Sequence, residues 1–350
     1  MMPAPNGHEE LLTRRGERSG LQMAIAVHST VLGPALGGCR MWFYRSPGDG
    51  IDDALRLARA MTLKAAAAGL DLGGGKGVIC LAGAAPAAEP RRAALLDFAD
   101  AVESLGGRYI TAEDVGTGAE DMALIAARTS HVVGLPPALG GRGEPGPLTA
   151  RGVERAIRAC CSHRFGSSDL DGLRVCVVGL GHVGAALARG LAASGAELLA
   201  SDIDPGRRQL AEQLGARWVD PEAAMLSRCE VVAPCALGGV VDEVNAELLR
   251  CQILCGAANN MLADETLAER LQERKIIYAP DFIANACGLI HVCAELQGHD
   301  AARVDDLVDS TGDTVGRVLA EAEAAKTTPL EAARELARRR LTAAPAVPAT

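Results

Sequence analysis

The sequence predicts an α/β chain of two domains, an N-terminal α/β domain followed by a doubly wound parallel sheet. Three observations predict it. From residue 172 on, six short apolar runs ("GLRVCVVG", "AELLASD", "ARWVD", "CEVVAPC", "QILCGAAN" and "KIIYAPD") alternate with segments of helical composition, the sequence form of such a sheet. The first run ends in glycines at Gly179, Gly181 and Gly184, spaced G-x-G-x-x-G. Ahead of them, "GLPPALGGRGEPGP" (134–147) is dense enough in glycine and proline to be a hinge, and 350 residues suffice for two domains of ordinary size.

In chain order, "LQMAIAVHSTV" (21–31) reads as an apolar strand, followed by a Gly/Pro turn, "LGPALGG". Residues 51–68 carry apolar residues at helical spacing with Asp near the start, which predicts a helix. A second helix is expected over 91–105, then "GRYITAED" as a strand ending in acids. After residue 290 a helical tail follows, in which Thr328 is an N-cap, Pro329 the first helical residue and Glu331 the partner of a capping box.

Composition narrows the function. A net charge of −9 argues against nucleic acid as a partner. No apolar run reaches the ~18 residues of a membrane span, and the polar N-terminus has no hydrophobic signal core. The eleven cysteines sit in apolar runs without C-x-x-C spacing, so they read as small core residues of a reducing cytoplasm. Aromatics are only 3% of the chain, so the core must be built from Ala, Val, Leu and Ile.

The glycine triplet sits between a buried strand and a helix. There the first glycine permits the turn, the second lets backbone N–H groups approach a pyrophosphate, and the third brings helix and strand together. Asp202, eighteen positions past the last glycine, ends the next run, where a carboxylate holds ribose hydroxyls; a cap in "SDIDP" is the plainer alternative. An acid there favours NAD over NADP, although Arg207 and Arg208 nearby keep NADP open. His182 has no second ligand at metal spacing, so no metal is expected.

Lysine occurs only four times, at Lys64, Lys76, Lys275 and Lys326, against 31 arginines. Two of the four fall in the apolar, flexible stretch "MTLKAAAAGLDLGGGKG" (61–77). A guanidinium stays charged in any protein, whereas a desolvated ammonium loses its proton near neutral pH. Lys76 is therefore a candidate for proton transfer and Lys64, aimed inward from a helix, for holding a substrate carboxylate; ordinary surface lysines are the plainer alternative. The acidic partner is expected in "GRYITAEDVGTG", where Glu113 or Asp114 could serve, or could cap the following helix.

Taken together, "LGPALGGCRMW", "MTLKAAAAGLDLGGGKGVI", "GGRYITAEDVGT", "APCALGG", "CGAANN" and "YAPDFIANACG" resemble, in order, the amino-acid dehydrogenases acting on leucine, valine and phenylalanine, of the glutamate dehydrogenase superfamily. The resemblance implies reversible, NAD-dependent oxidative deamination of an L-amino acid to its 2-oxo acid and ammonia by a homo-oligomer. By position it makes Lys76 the general base, Lys64 the carboxylate anchor beside Gly38, and Asp114 the acid that exchanges protons with the amino group. Asn259 and Asn285 are implied at the substrate. Gly179, Leu180, Gly181, His182, Val183, Gly184, Asp202, Thr149 and Arg40 are implied at the cofactor.

The implied organisation has a substrate domain over 1–140, completed by C-terminal helices 300–342, and an NAD-binding Rossmann domain over 145–298. The two flank a cleft that closes to expel water, and 343–350 forms a disordered tail. Leu36, Ala112, Leu289 and Val292 correspond to the side-chain pocket. Apolar Leu36 disfavours glutamate, and a bulky Leu289 shortens the pocket, which predicts valine-sized substrates before leucine, with phenylalanine third. Three departures stand out: Cys39 for threonine in "GGTR", Cys287 for glycine in "NAGG", where a glycine would hold φ > 0 or admit the substrate, and a short N-terminus. The alternatives are a phenylalanine-preferring enzyme, a weak regulatory relative that binds NAD or an amino acid, and a hydroxyacid dehydrogenase, for which no histidine–acid pair is evident.

Overall fold

The structure is a computed structural model that describes residues 7–81, 83 and 86–344. It contains two compact units, residues 1–143 with 292–298 and 337–350, and residues 144–291 with 299–336. The proposed tail over 343–350 lies, from 345 on, outside the described residues.

The first unit is built on a five-stranded sheet. Its strands are β1 (Glu10–Arg15), β2 (Gln22–Ser29), β3 (Ala35–Phe43), β4 (Gly73–Leu81) and β5 (Tyr109–Glu113), in the order β1-β2-β4-β3-β5. Strand β2 runs antiparallel to β1 and β4, while β3, β4 and β5 are mutually parallel. Helix α1 (Pro47–Ala67) starts four residues earlier than its apolar spacing predicts, because Ser46 and Asp49 close a capping box ahead of Pro47. Helices α2 (Ala88–Glu103) and α3 (Ala119–Ala126) complete this part of the chain.

Two strands correct the sequence reading. The expected turn at "LGPALGG" is confined to its first residues, and Ala35 onward is β3; the flexible "GGGKG" is β4, buried at every position. Glycine is required in β4 by close approach rather than by a turn. A Cβ at Gly74 would lie 2.1 Å from the Thr62 amide of α1, and one at Gly77 would lie 2.3 Å from the Phe98 ring of α2. The strand is therefore packed tightly on both faces, and Lys76 stands in its middle.

The second unit opens with α4 (Gly146–Phe165) and carries a six-stranded parallel sheet. The strands are β6 (Arg174–Val178), β7 (Glu197–Ser201), β8 (Arg217–Trp218), β9 (Val231–Pro234), β10 (Ile253–Leu254) and β11 (Ile277–Tyr278), in the order β11-β10-β9-β6-β7-β8. Each corresponds to one of the six apolar runs. Between them lie α5 (His182–Ala193), α6 (Arg208–Gln213), α7 (Pro221–Ala224), α8 (Glu243–Leu248) and α9 (Leu267–Glu273), followed by α10 (Asp281–Ala284), α11 (Cys287–Gln297), α12 (Ala301–Ala325) and α13 (Pro329–Ala343). The strand order reverses direction between β6 and β9, the switch point at which open α/β sheets bind ligands.

The C-terminal helices differ from the expected return to the first unit over 300–342. Helix α12 belongs to the second unit, where Arg151 and Arg155 of α4 pair with Asp305 and Asp309, each at 2.8 Å. Only from Ala337 does α13 join the first, where Arg340 donates to the Leu70 carbonyl at 2.6 Å and meets Asp71 at 2.7 Å. The reason is charge placement: the acids of α12 recur every four residues opposite the arginines of α4. The cap at Thr328 forms, its hydroxyl accepting from the Glu331 amide at 3.2 Å. All eleven cysteines are free and ten are buried. Among the described residues no helix is long and apolar enough to cross a membrane.

Candidate active site

In the first unit, strand register brings the predicted residues onto one face of the sheet. Leu36 pairs with Gly74 and Ile110, and Gly38 with Ala112, so alternation sets Leu36, Gly38, Arg40, Gly74, Lys76, Ala112 and Asp114 toward the α1 side. The same alternation chooses between the two acids, turning Asp114, and not Glu113, to that side. A Cβ at Gly38 would lie 2.7 Å from the Asp114 Cβ, so glycine there is what admits the carboxylate.

Lys76 Nζ lies 2.9 Å from Asp114 Oδ2, and the lysine is only 5% exposed. Burial lowers its pKa from the ordinary lysine value, and the Arg40 charge adds to this, against the opposing pull of Asp114. Burial alone would raise the Asp114 pKa, but Lys76 and Arg40 together hold it below the usual carboxylate range. The site thus combines a lysine biased toward the neutral amine with a fixed anion beside it. Lys64 stands half-buried in the last turn of α1, two residues beyond the Thr62 that packs on Gly74.

Arg40 stands between two carboxylates. The resemblance implies it at the cofactor; in the structure its Nε donates to Asp114 Oδ2 at 2.8 Å and its Nη1 to Asp53 Oδ2 at 3.0 Å, all within the first unit. The cause is the pleat: two residues beyond Gly38 on the same face, the guanidinium falls between two carboxylates that require a counter-charge. Asp53 and its partner Tyr44, at 2.8 Å, were not foreseen, because nothing in the pattern of α1 distinguishes this acid from Asp52.

Both cysteine departures are accommodated. Cys39 turns its thiol away from the site into the core with Ile79 and Tyr109. Cys287 is absent from the positive-φ residues, so the expected strain does not arise. Its fully buried side chain instead fills the space left by Gly152, where a Cβ would lie 2.3 Å from the sulfur.

The second unit carries the glycine loop between β6 and α5. Gly179 has φ +100°, which only glycine adopts readily, and a Cβ at Gly184 would lie 1.9 Å from the Gly179 carbonyl oxygen. The place of a Cβ at Gly181 is open, and no side chain caps the N-terminus of α5, so the loop leaves room and backbone donors for a pyrophosphate. Asp202, just past β7, accepts from the Leu180 amide at 2.6 Å and the Asp204 amide at 2.8 Å, which fixes the acid against the loop. His182 pairs with Glu144 at 2.7 Å, and Val183 follows it in the first turn of α5.

Asn285 donates to Asn259 Oδ1 at 2.9 Å, while its own buried Oδ1 has no partner among the described residues, as expected of an atom awaiting a ligand amide. The Thr149 hydroxyl lies 3.2 Å from the place of a Cβ on Gly288. These groups fit a bound dinucleotide. Of the pocket residues on α11, buried Leu289 falls in the second unit and Val292 in the first.

Known proteins align with this arrangement. Residues 8–131 match a family model described as the Glu/Leu/Phe/Val dehydrogenase dimerisation domain, and 206–347 match the glutamate/leucine/phenylalanine/valine dehydrogenase model. Residues 149–238 also match the NAD-binding domain of D-isomer-specific 2-hydroxyacid dehydrogenases. The chain is 42% identical to leucine dehydrogenase of Bacillus subtilis (strain 168), over 89% of this chain and 85% of that one. It is 39% identical to valine dehydrogenase of Streptomyces virginiae, over 96% and 94% respectively. L-tryptophan dehydrogenase from Nostoc punctiforme superposes with a TM-score of 0.84 at 35% identity, covering 96% of both chains.

Proposed function

The chain belongs to the glutamate/leucine/phenylalanine/valine dehydrogenase family, with NAD as cofactor, and on that premise we propose that it deaminates aliphatic L-amino acids of valine to leucine size. The observation that carries the reading is the buried Lys76–Asp114 pair at 2.9 Å, in which the lysine is biased toward its neutral form. A purely structural ion pair would gain nothing from a lysine poised to give up its charge.

In this reading Lys64 holds the substrate carboxylate, and Asp114 takes a proton from the α-ammonium. NAD bound at the glycine loop supplies the acceptor for the hydride leaving Cα. Neutral Lys76 removes a proton from water as its oxygen bonds to the imino carbon, and Asp114 returns a proton to the departing nitrogen. The C–N bond then breaks as the new hydroxyl gives up its proton to Asp114, which has just protonated the nitrogen, leaving ammonia and the 2-oxo acid. Asp202 would hold the ribose hydroxyls and Thr149 the nicotinamide end, while Asn259 and Asn285 would meet the substrate.

Leu36 and Ala112, on the face of Lys76, present an apolar wall to the substrate side chain. Ammonia-forming NADH production with L-valine or L-leucine should exceed that with L-phenylalanine by roughly 10–200-fold in kcat/KM, the worth of a few methylenes in such a pocket. Preference for phenylalanine, or for tryptophan as in the similar Nostoc enzyme's name, would overturn the aliphatic assignment.

A homo-oligomer is part of the same proposal. With only nine aromatic residues in the chain, it leaves two side by side at the end of β3, Trp42 and Phe43, 49% and 44% exposed, as at subunit interfaces. Light scattering should report a mass above the 36.1 kDa of one chain, and Trp42→Glu should lower it. A monomeric wild type would refute this part. Eleven free thiols suit a reducing, cytoplasmic setting.

A further inference from the structure

We propose that Arg40, held by Asp53, is a positioning residue that presents one oxygen of Asp114 to the substrate's amino group; this rests on the roles given above to Lys76 and Asp114. Both cationic donors fall on the same carboxylate oxygen. Lys76 Nζ and Arg40 Nε reach Oδ2 at 2.9 and 2.8 Å, so Oδ1 is turned to neither. A carboxylate held by one lysine could rotate, and either oxygen could then face the substrate. A second donor from a rigid planar group removes that freedom.

Arg40 is itself fixed. Its Nη1 binds Asp53 Oδ2, which also accepts from the Tyr44 hydroxyl, while Asp53 Oδ1 accepts from Arg56 at 2.7 Å. The chain of contacts thus runs from α1 through Arg40 to the proton-exchanging acid and ends on the base. Asp53 keeps its charge, since Tyr44, Arg56 and Arg40 outweigh burial and hold its pKa below the ordinary value.

The titratable and charged groups facing this cluster are Lys76 from β4, Arg40 from β3, Tyr44 after β3, Asp53 and Arg56 from α1, Asp114 after β5, and Cys80 beside Tyr44, with Cys39 on the opposite face of β3. Burial pushes the Cys39 thiol and the Tyr44 hydroxyl upward, Cys80 likewise, and Arg40 keeps its charge. Burial lowers the Lys76 pKa, and Arg40 is the like charge that adds to this and favours the neutral form.

The test is the pH profile of kcat/KM for the wild type, Arg40→Gln, Arg40→Lys and Asp53→Asn, with kcat and the amino-acid KM measured separately. Loss of the Arg40 charge should move the acid-side limb of the profile up by roughly half to one pH unit. In the same variant kcat should fall more than about tenfold with little change in KM, because Arg40 touches no substrate. Arg40→Lys keeps the charge and hence the limb, but without the planar fork it recovers only part of kcat. Asp53→Asn removes an anion and leaves the Arg40 charge, so its limb should not move up, while kcat falls as Arg40 loses its hold.

If Arg40→Gln fails to fold, the other two variants decide. Arg40→Gln with the wild-type limb unmoved, or Arg40→Lys and Asp53→Asn that keep the wild-type kcat or change KM as much as kcat, would show a merely structural role and overturn the proposal alone. A wild type that makes no NADH with any L-amino acid would overturn the dehydrogenase reading and this inference with it.

Discussion

Lys76→Ala is expected to lower kcat/KM for the preferred amino acid by about 10²–10⁴-fold, the range of a lost general base, while the protein stays folded. The two halves of that expectation have separate causes. Activity falls because no other described group beside Asp114 can be neutral at working pH: Arg40 is a guanidinium, and the carboxylate is held as an anion. Folding survives because Asp114 keeps Arg40 as its counter-charge when the lysine goes.

Stability should even rise. A lysine whose folded pKa lies below its unfolded value binds fewer protons folded than unfolded, so it weighs against the fold at neutral pH. That penalty is relieved only as pH rises toward the ordinary lysine range. Lys76→Met, which refills the volume, should therefore match or exceed the wild-type melting temperature at pH 7, with the difference shrinking at alkaline pH. Lys76→Arg separates charge from proton transfer: it restores a cation beside Asp114 but cannot release its proton, and should be as inactive as alanine. Turnover of Lys76→Arg at the wild-type rate would sink the assignment of the base.

The legibility of this molecule in its sequence divides along a physical line. All six strands of the second unit were visible because a parallel sheet covered on both faces writes itself as continuous apolar runs. The start of β3 reads as a turn and β4 as a flexible stretch because both are rich in glycine, ordinarily the mark of a break in a strand. Here the glycines are what let Thr62, Phe98, the Glu113 backbone and the Asp114 side chain approach within contact, information that exists only once the partners are known. Helix α12 was assigned to the wrong unit for a related reason, since its acidic spacing names no partner until α4 is beside it.

The site divides similarly. Lys76 was legible because a chain that otherwise uses arginine chose lysine there, a chemical signal independent of fold. Asp114 could not be told from Glu113 without strand register. The motif that contains Arg40 gave its position but not its neighbours, and Asp53 gave no signal at all. Residues that touch the reaction left a mark in residue type; those that hold them in place became visible only through distance.

Asp114→Asn should be damaging on both counts, and its pH signature should be opposite to that of Arg40→Gln. An amide cannot exchange the proton of the substrate's ammonium, so kcat should fall by about 10²–10⁴-fold. Unlike the lysine variants, this one also removes the anion that Lys76 pairs with among the described residues. Loss of about 2–4 kcal/mol of unfolding free energy is expected, the lower part of the range for a broken buried pair because the Asp114 side chain is 22% exposed. The sign with pH follows from a folded pKa held below the unfolded one. The contribution of Asp114 is fully present above the ordinary carboxylate range and is lost as pH falls through the folded value, so urea midpoints of wild type and variant should converge in acid. Asp114 is also what raises the Lys76 pKa against burial. Without it the amine loses its proton more readily, and the acid-side limb of any residual activity should move to lower pH, whereas removing Arg40 moves it higher. A downward limb in one variant and an upward limb in the other is a pattern that general damage to the fold cannot produce. Limbs that move together, or not at all, would show that the titrating group is not a lysine set between these two charges.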